Sequence, residues 1–183
     1  MAHINVPEGV PGIRSLVMFR PETGKYLYDL AQELLRGESP LSQADRELIA
    51  AHVSNRNDCF FCTNSHAAAA RCLYGKDDQA IVDDVLAKGQ EADISDKMKA
   101  LLNIAGKVQI LGKEVTSEDI DKAKKQGATD KELHDTVLIA AAFCMFNRYV
   151  DGLASFTPTD PELYKEMGKH MVKGYNLPPK PQS

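Results

Sequence analysis

The sequence has no long apolar run, and its first residues do not resemble a secretory signal. A membrane-spanning helix needs about 18 or more consecutive, mainly apolar residues, and no such stretch occurs. The opening residues 1–19, MAHINVPEGVPGIRSLVMF, lack a charged region followed by an apolar block. We therefore expect a cytoplasmic protein that does not enter a membrane.

Positive charge is also scarce. The 22 lysines and arginines are outnumbered by 26 acidic residues, which gives a net charge of −4 and an isoelectric point near 5.7. The basic residues are scattered among acidic ones and form no stripe. Nucleic-acid-binding surfaces are typically basic, so we expect no nucleic-acid partner.

Cysteines are few, with four in 183 residues. A chain of roughly 150 residues or more buries about 70% of its unfolded surface, so it needs neither disulfides nor a metal to hold a core. The length favours one domain, which we expect to span residues 1–183. In a cytosolic chain, a C-x-x-C pair is typical of catalytic or metal sites rather than of a disulfide framework.

Signals for β-strands are absent as well. No segment alternates convincingly between apolar and polar residues, and no hairpin dipeptide separates two apolar runs. Apolar residues recur instead at helical spacing, with Ser42 and Thr116 as N-caps and glycines 37, 75, 89 and 127 as helix ends. The sequence predicts an all-α, compact bundle of about seven or eight helices. Proline and glycine cluster in residues 1–22 and 175–183, which we interpret as extended arms.

The segment DCFFCTNSH, residues 58–66, contains the residues that can do chemistry. On a helix, Cys59 and Cys62 share a face, and so do Cys62 and His66, because residues three or four apart are neighbours. We expect Asn57 or Asp58 to be the N-cap, so that Cys59 lies in the first turn and its thiolate gains from the helix N-terminus. His66 can take a proton from Cys62.

Three interpretations of this segment are open. A structural zinc site usually has four protein ligands, and here three are closely spaced, with His52 as a conceivable fourth; we expect no metal. The cysteines could be small core residues, as we expect for Cys72 and Cys144. The third interpretation is a redox dithiol on a helical scaffold, since no strand precedes the pair.

The stretch LSQADRELIAAHVSNRNDCFFCTNSHAAAA resembles the core motif of the alkyl hydroperoxide reductase D family, within the carboxymuconolactone decarboxylase-like group. That motif is a glutamate, eleven intervening residues, then C-x2-C-x3-H, and Glu47, Cys59, Cys62 and His66 match every spacing. The resemblance is strong over residues 40–75 and moderate over 130–155, where FNRYVDGLA is similar to the single-domain, peroxidase-related branch. Phe61 stands where some members carry histidine, so that extra proton-relay residue is missing here.

The resemblance implies a thiol-dependent peroxidase with no metal or organic cofactor. Cys62 would attack a hydroperoxide and become a sulfenic acid, and Cys59 would resolve it to a disulfide. His66 would be the base, and Glu47 would orient it or relay protons. The helix dipole favours a low pKa at Cys59, but a bonded imidazole can do more, so we assign the attack to Cys62. The resemblance also implies a dithiol or protein reductant, whose identity is unknown, and a homo-oligomer, trimeric or hexameric.

Other functions stay open at this stage. The protein could be a general thiol–disulfide oxidoreductase, or a redox sensor that switches without turnover. A decarboxylase is less favoured, because in that branch the cysteine pair does not carry out the reaction.

Asn147, Arg148 and Asp151 follow an apolar run, and we expect a structural ion pair among these residues, at a subunit contact or at a pocket mouth.

Overall fold

The all-α fold predicted from the sequence is confirmed. The computed structural model describes residues 2–175, and these residues contain helices and turns without a β-strand. Within this range the chain forms nine α-helices: α1 Ile13–Phe19, α2 Pro21–Arg36, α3 Gln43–Arg56, α4 Phe60–Asp78, α5 Ala80–Lys88, α6 Asp96–Ile110, α7 Ser117–Lys125, α8 Asp130–Gly152 and α9 Pro161–Met171. Single turns of 3₁₀-helix, Gly89–Glu91 and Gly112–Glu114, follow α5 and α6.

The helices begin and end where the sequence places local signals. Ser42 and Thr116 accept hydrogen bonds from the backbone N–H groups of the first turns of α3 and α7. At Thr116 the bond is reciprocal, because the Asp119 side chain accepts from the Thr116 backbone. The α2 helix ends at Gly37 and α5 ends at Gly89, as predicted. Gly75 breaks the helical backbone inside α4 rather than ending it.

The predicted arm at residues 1–22 is wrong in part. Helix α1 lies inside it, with Leu16 and Val17 fully buried and the Ser15 hydroxyl donating to the Gly12 carbonyl. The helix forms because its apolar side chains pack into the bundle, which a composition rich in nearby proline and glycine does not reveal. The arm predicted at 175–183 lies outside the described residues from 176 onward. Tyr175 itself packs against the core.

Helix α3 is the centre of the bundle. Ten of its 14 residues are buried, because α4, α6 and α8 pack around it. A short turn joins α3 to α4, and the two helices pack along one another as a hairpin. On the other side of α4 lies α9, which approaches closely because the facing residues are small. None of the helices within residues 2–175 is both long and apolar enough to cross a lipid bilayer.

We predict that the contact between α4 and α9 is sensitive to a single methyl group. A Cβ added at Gly168 would lie 2.7 Å from the carbonyl carbon of Ala68, which is backbone and cannot move aside. Gly168→Ala should therefore lower the free energy of unfolding by about 1–3 kcal/mol, as overpacking typically does. Urea denaturation measures the effect. Gly112→Ala is the matched control, because a Cβ there meets no atom within 4 Å. Equal stability of the two variants would contradict the prediction.

Candidate functional site

The turn between α3 and α4 fixes the position of the first cysteine. Asp58 has a positive φ of 55°, and its N–H donates to the Asn55 carbonyl while the N–H of Cys59 donates to the Ser54 carbonyl. This pair of bonds is a Schellman motif, which ends a helix with one residue in the left-handed region. Cys59 is consequently the N-cap of α4, with extended backbone angles. The expectation that Asn57 or Asp58 would be the N-cap is wrong, because these residues terminate α3.

The Cys59 thiol lies in surroundings that keep it protonated. It is fully buried, and its Sγ donates to Oδ1 of Asp151 on α8 at 3.3 Å. The hydrogen bond with Cys62, together with burial, raises the pKa of the Cys59 thiol. The expected lowering of the Cys59 pKa by the helix N-terminus is therefore outweighed. Both cysteines are free thiols.

Cys62 occupies a different position, at the wall of a cavity. The cavity has a volume of about 450 Å³ and is enclosed by α1, α2, α4, α8 and α9. Cys62 and His66 both line it, whereas Cys59 does not. Most of the remaining lining is apolar and aromatic, and includes Leu27, Tyr28, Phe61, Phe143, Phe146 and Met167. A molecule that enters the cavity thus meets one of the two sulfurs and the imidazole.

Glu47 holds His66 in place. One carboxylate oxygen, Oε2, lies 2.6 Å from Nδ1 of His66, and the Glu47 side chain is completely buried. Burial alone would raise the pKa of Glu47, but His66, Arg36 and Tyr175 outweigh it and hold the pKa below its usual value. Glu47 is therefore an anion at neutral pH. A proton on Nδ1 then faces Glu47, which leaves Nε2 as the nitrogen able to accept a proton.

Two residues at this site escaped the sequence analysis. Arg36, at the end of α2, donates from Nη2 to Oε1 of Glu47 at 2.6 Å, and the Tyr175 hydroxyl donates to the same oxygen at 2.6 Å. The Tyr175 ring is stacked parallel to His66, with centroids 6.1 Å apart, and lies over the Arg36 guanidinium. Neither residue has a local signal, because Arg36 ends an ordinary amphipathic helix and Tyr175 lies in the predicted arm.

Helix α8 supports the cysteine turn through side-chain hydrogen bonds. The buried Asn147 donates to the Ser54 hydroxyl and accepts from Asn57, and Asp151 accepts from Cys59. Arg148 is exposed and donates to the Cys144 carbonyl of its own helix. Within residues 2–175, Arg148 forms no salt bridge inside the chain, so an ion pair of Arg148 at a subunit contact stays a prediction. Asn147 and Asp151 bind the turn that carries Cys59, which gives these two residues of FNRYVDG a structural explanation.

Phe61 forms part of the cavity wall where some family members carry histidine. It is buried beside Tyr164, and its ring fills the space where a side chain of Gly12 would lie, since a Cβ there would be 2.0 Å from the ring. Gly12 has a positive φ of 53°, which glycine adopts without strain. The N-terminal segment can pass over Phe61 because residue 12 is glycine.

The structure gives no support to a metal interpretation. In the part of the chain that is described, no three His, Cys, Asp or Glu side chains are grouped so that they could hold a metal ion. His52, the conceivable fourth ligand, is buried on α3 near Gly89, and burial lowers its pKa to about 4. Two thiols, an imidazole and a carboxylate can instead carry out thiol oxidation with proton transfer.

Known proteins share both sequence and fold with this chain. Residues 21–107 match the model of the Carboxymuconolactone decarboxylase family. The uncharacterized protein YdfG of Bacillus subtilis (strain 168) is 27% identical over 129 residues, which are 70% of this chain and 84% of that protein.

Solved structures extend the likeness over most of the fold. An uncharacterized peroxidase-related protein from Silicibacter sp. TM1040 is 27% identical with a TM-score of 0.76, covering 85% of this chain and 79% of that chain. An uncharacterized peroxidase-related protein from Ralstonia eutropha JMP134, described as an alkylhydroperoxidase AhpD core, has a TM-score of 0.79 at 23% identity, covering 92% and 96% of the two chains. The second comparison shows a shared fold. The resemblance seen in the motif is confirmed.

We predict that Tyr175 stabilises the charged form of Glu47. Tyr175→Phe removes one donor to a buried carboxylate, so we expect a loss of about 1.5–3 kcal/mol in the free energy of unfolding at neutral pH. The pKa of Glu47 is lowered by folding, so its contribution is present above the unfolded pKa and is lost as pH falls through the folded pKa. The difference between the two proteins should therefore shrink in acid, as measured by urea denaturation at several pH values.

Tyr26→Phe provides the control for this experiment. Tyr26 is 71% exposed on α2, so loss of its hydroxyl should change stability by less than about 0.5 kcal/mol at every pH. A Tyr175→Phe protein that is destabilised equally at neutral and acid pH would show that the hydroxyl does not act through the Glu47 charge.

Proposed function

We propose that this relative of the carboxymuconolactone decarboxylase family is a thiol-dependent peroxidase. The observation that carries the proposal is the unequal placement of the two sulfurs. Cys62 lines the cavity together with His66, while Cys59 is buried and hydrogen-bonded to Cys62 and Asp151. This arrangement suits a mechanism in which the Cys62 sulfur reacts with a substrate and the Cys59 sulfur then forms a disulfide with the oxidised Cys62.

The first step oxidises Cys62 and reduces the hydroperoxide. His66 takes the thiol proton, and the Cys62 thiolate attacks the terminal peroxide oxygen. A sulfur–oxygen bond forms, the oxygen–oxygen bond breaks, and His66 returns the proton to the departing alkoxide. Cys62 becomes a sulfenic acid and the substrate leaves as an alcohol. Glu47 supports both transfers because its contact with Nδ1 of His66 fixes the ring.

The second step closes the Cys59–Cys62 disulfide. Cys59 attacks the sulfur of the sulfenic acid, and water leaves. An external dithiol, small or carried by a protein, then reduces the disulfide by exchange. No organic cofactor or metal enters either step. The family resemblance further supports the proposal of a cytoplasmic homo-oligomer, a trimer or hexamer.

The cavity indicates an organic hydroperoxide as substrate. Its lining is largely apolar, and its volume of about 450 Å³ lies within the usual range of small-molecule sites. The alternative of a general thiol–disulfide oxidoreductase requires a protein disulfide to reach the Cys62 thiol, which is only 4% exposed, and a reductant carried by a protein meets the same constraint. A redox sensor would be distinguished by a single oxidation without turnover.

The roles of the two cysteines predict different products in two variants. In Cys59→Ser, peroxide should leave a trapped or over-oxidised Cys62, because the resolving thiol is gone. In Cys62→Ser, no sulfenic acid should form at Cys59, because Cys59 does not line the cavity. Dimedone labelling with peptide mass spectrometry identifies the oxidised residue. Wild-type protein should show a 59–62 crosslink that a dithiol reverses, and the exposed Cys72 is the internal control for non-specific oxidation. Sulfenic acid at Cys59 would reverse the assignment.

The proposed relay predicts that His66→Ala and Glu47→Gln slow the first step. General acid–base groups are typically worth 10²–10⁴-fold, so each variant should lower the rate by an amount in this range. Stopped-flow measurement of cumene hydroperoxide reduction gives the rate. The exposed His134 supplies the control His134→Ala. An effect below about threefold would remove that residue from the mechanism.

A further inference from the structure

We infer that Asp151 is a catalytic residue of the second step, where it accepts the proton of Cys59 as that thiol attacks oxidised Cys62. The inference deepens the proposed function and rests on it for the identity of the oxidant. It concerns a residue outside the Glu-x11-C-x2-C-x3-H motif, in the last turn of α8.

The need for a proton acceptor follows from the state of Cys59. A thiolate is the nucleophile in disulfide formation, whereas a thiol is nearly inert. Burial and the neighbouring sulfur hold the Cys59 thiol in its protonated form. Cys59 therefore has to lose its proton when it attacks, and a group within hydrogen-bonding distance has to receive it.

Asp151 is placed to receive that proton. Its Oδ1 lies 3.3 Å from Cys59 Sγ in hydrogen-bonding geometry, so the carboxylate is within reach of the thiol proton. His66, the base proposed for the first step, is held by Glu47 and lines the cavity with Cys62, whereas Cys59 does not line it. The two sulfurs thus have separate bases, His66 for Cys62 and Asp151 for Cys59.

The surroundings of Asp151 suit repeated turnover. Its side chain is exposed, so a proton taken from Cys59 can pass to water. Asp151 lies in the last turn of α8, and Asn147, one turn earlier, binds Ser54 and Asn57 in the turn that holds Cys59. The carboxylate is therefore fixed relative to the thiol by contacts that do not involve Asp151.

The step is balanced in atoms and electrons. The Cys59 sulfur forms a bond to the Cys62 sulfur as the bond from Cys62 to oxygen breaks, and the thiol proton goes to Asp151. The oxygen leaves as hydroxide and takes a proton to become water. Two thiol equivalents have then been oxidised by one hydroperoxide, which has been reduced to an alcohol and water.

The test separates the two steps in Asp151→Asn. Sulfenic acid formation at Cys62 should keep its wild-type rate within about twofold, because His66 is untouched. Disulfide closure should slow by about tenfold or more, as expected when a general base is lost. Sulfenic acid should then accumulate, which dimedone labelling detects over time. Asp151→Glu, which keeps a carboxylate, should recover part of the closure rate. A purely structural role for Asp151 predicts no such recovery and no accumulation.

A second measurement does not depend on peroxide. With Cys72 and Cys144 replaced by serine, Ellman's reagent first forms a mixed disulfide at Cys62, and attack by Cys59 then releases a second thionitrobenzoate. Asp151→Asn should slow the second release about tenfold relative to the parent. Asp130→Asn is the control, because Asp130 lies at the other end of α8, roughly 30 Å away at 1.5 Å per residue.

The outcomes distinguish the two proposals. If peroxide fails to oxidise Cys62 while Asp151→Asn still slows the second release, the peroxidase function is wrong and the role of Asp151 stands. If closure and second release in Asp151→Asn match the parent within about twofold, Asp151 is not the proton acceptor, whatever the oxidant.

Discussion

The buried carboxylate of Glu47 is the constraint on which the site depends. A charge taken fully out of water is costly unless it is paired and hydrogen-bonded. Here its donors come from three separate segments: Arg36 from the end of α2, His66 from α4 and Tyr175 from beyond α9. The carboxylate can be an anion only when these segments are assembled around α3. The same contacts that stabilise the charge also fix the imidazole, so the fold and the chemistry of His66 share one set of hydrogen bonds.

A second constraint acts at the turn between α3 and α4. The Schellman motif at Asp58 makes Cys59 the N-cap of α4 and Cys62 the third residue of that helix, so the two sulfurs are neighbours with different surroundings. Helix α8 binds this turn through Asn147 and Asp151. Cys62 lines the cavity, and the Cys59 thiol donates to Asp151 of α8. The different surroundings of the two thiols thus arise from the contacts that each makes at the start of α4.

At Cys59, local contacts outweigh the effect of the helix dipole on the pKa of the thiol. A helix N-terminus typically stabilises a nearby anion by 0.3–1 kcal/mol. The hydrogen bond that Cys59 loses when its thiol ionises, together with the burial of the resulting charge, costs more. The pKa of Cys59 is raised accordingly. Cys62 and His66, in contrast, line a cavity whose other walls are largely apolar and aromatic.

Local patterns were sufficient for the helices whose ends carry caps and glycines. The four motif residues were selected by their resemblance to the family motif, and local spacing alone places only Cys62 and His66 on one helical face. Local patterns were not sufficient for α1, whose Leu16 and Val17 become helical and buried through packing. They also did not identify Arg36, Tyr175 or Asp151 as partners of Glu47 and Cys59, since the residues of each pair are 11, 128 and 92 positions apart in the chain. Only the tertiary structure brings these groups together, because a buried charge and a buried thiol take their partners from whichever helices pack against them.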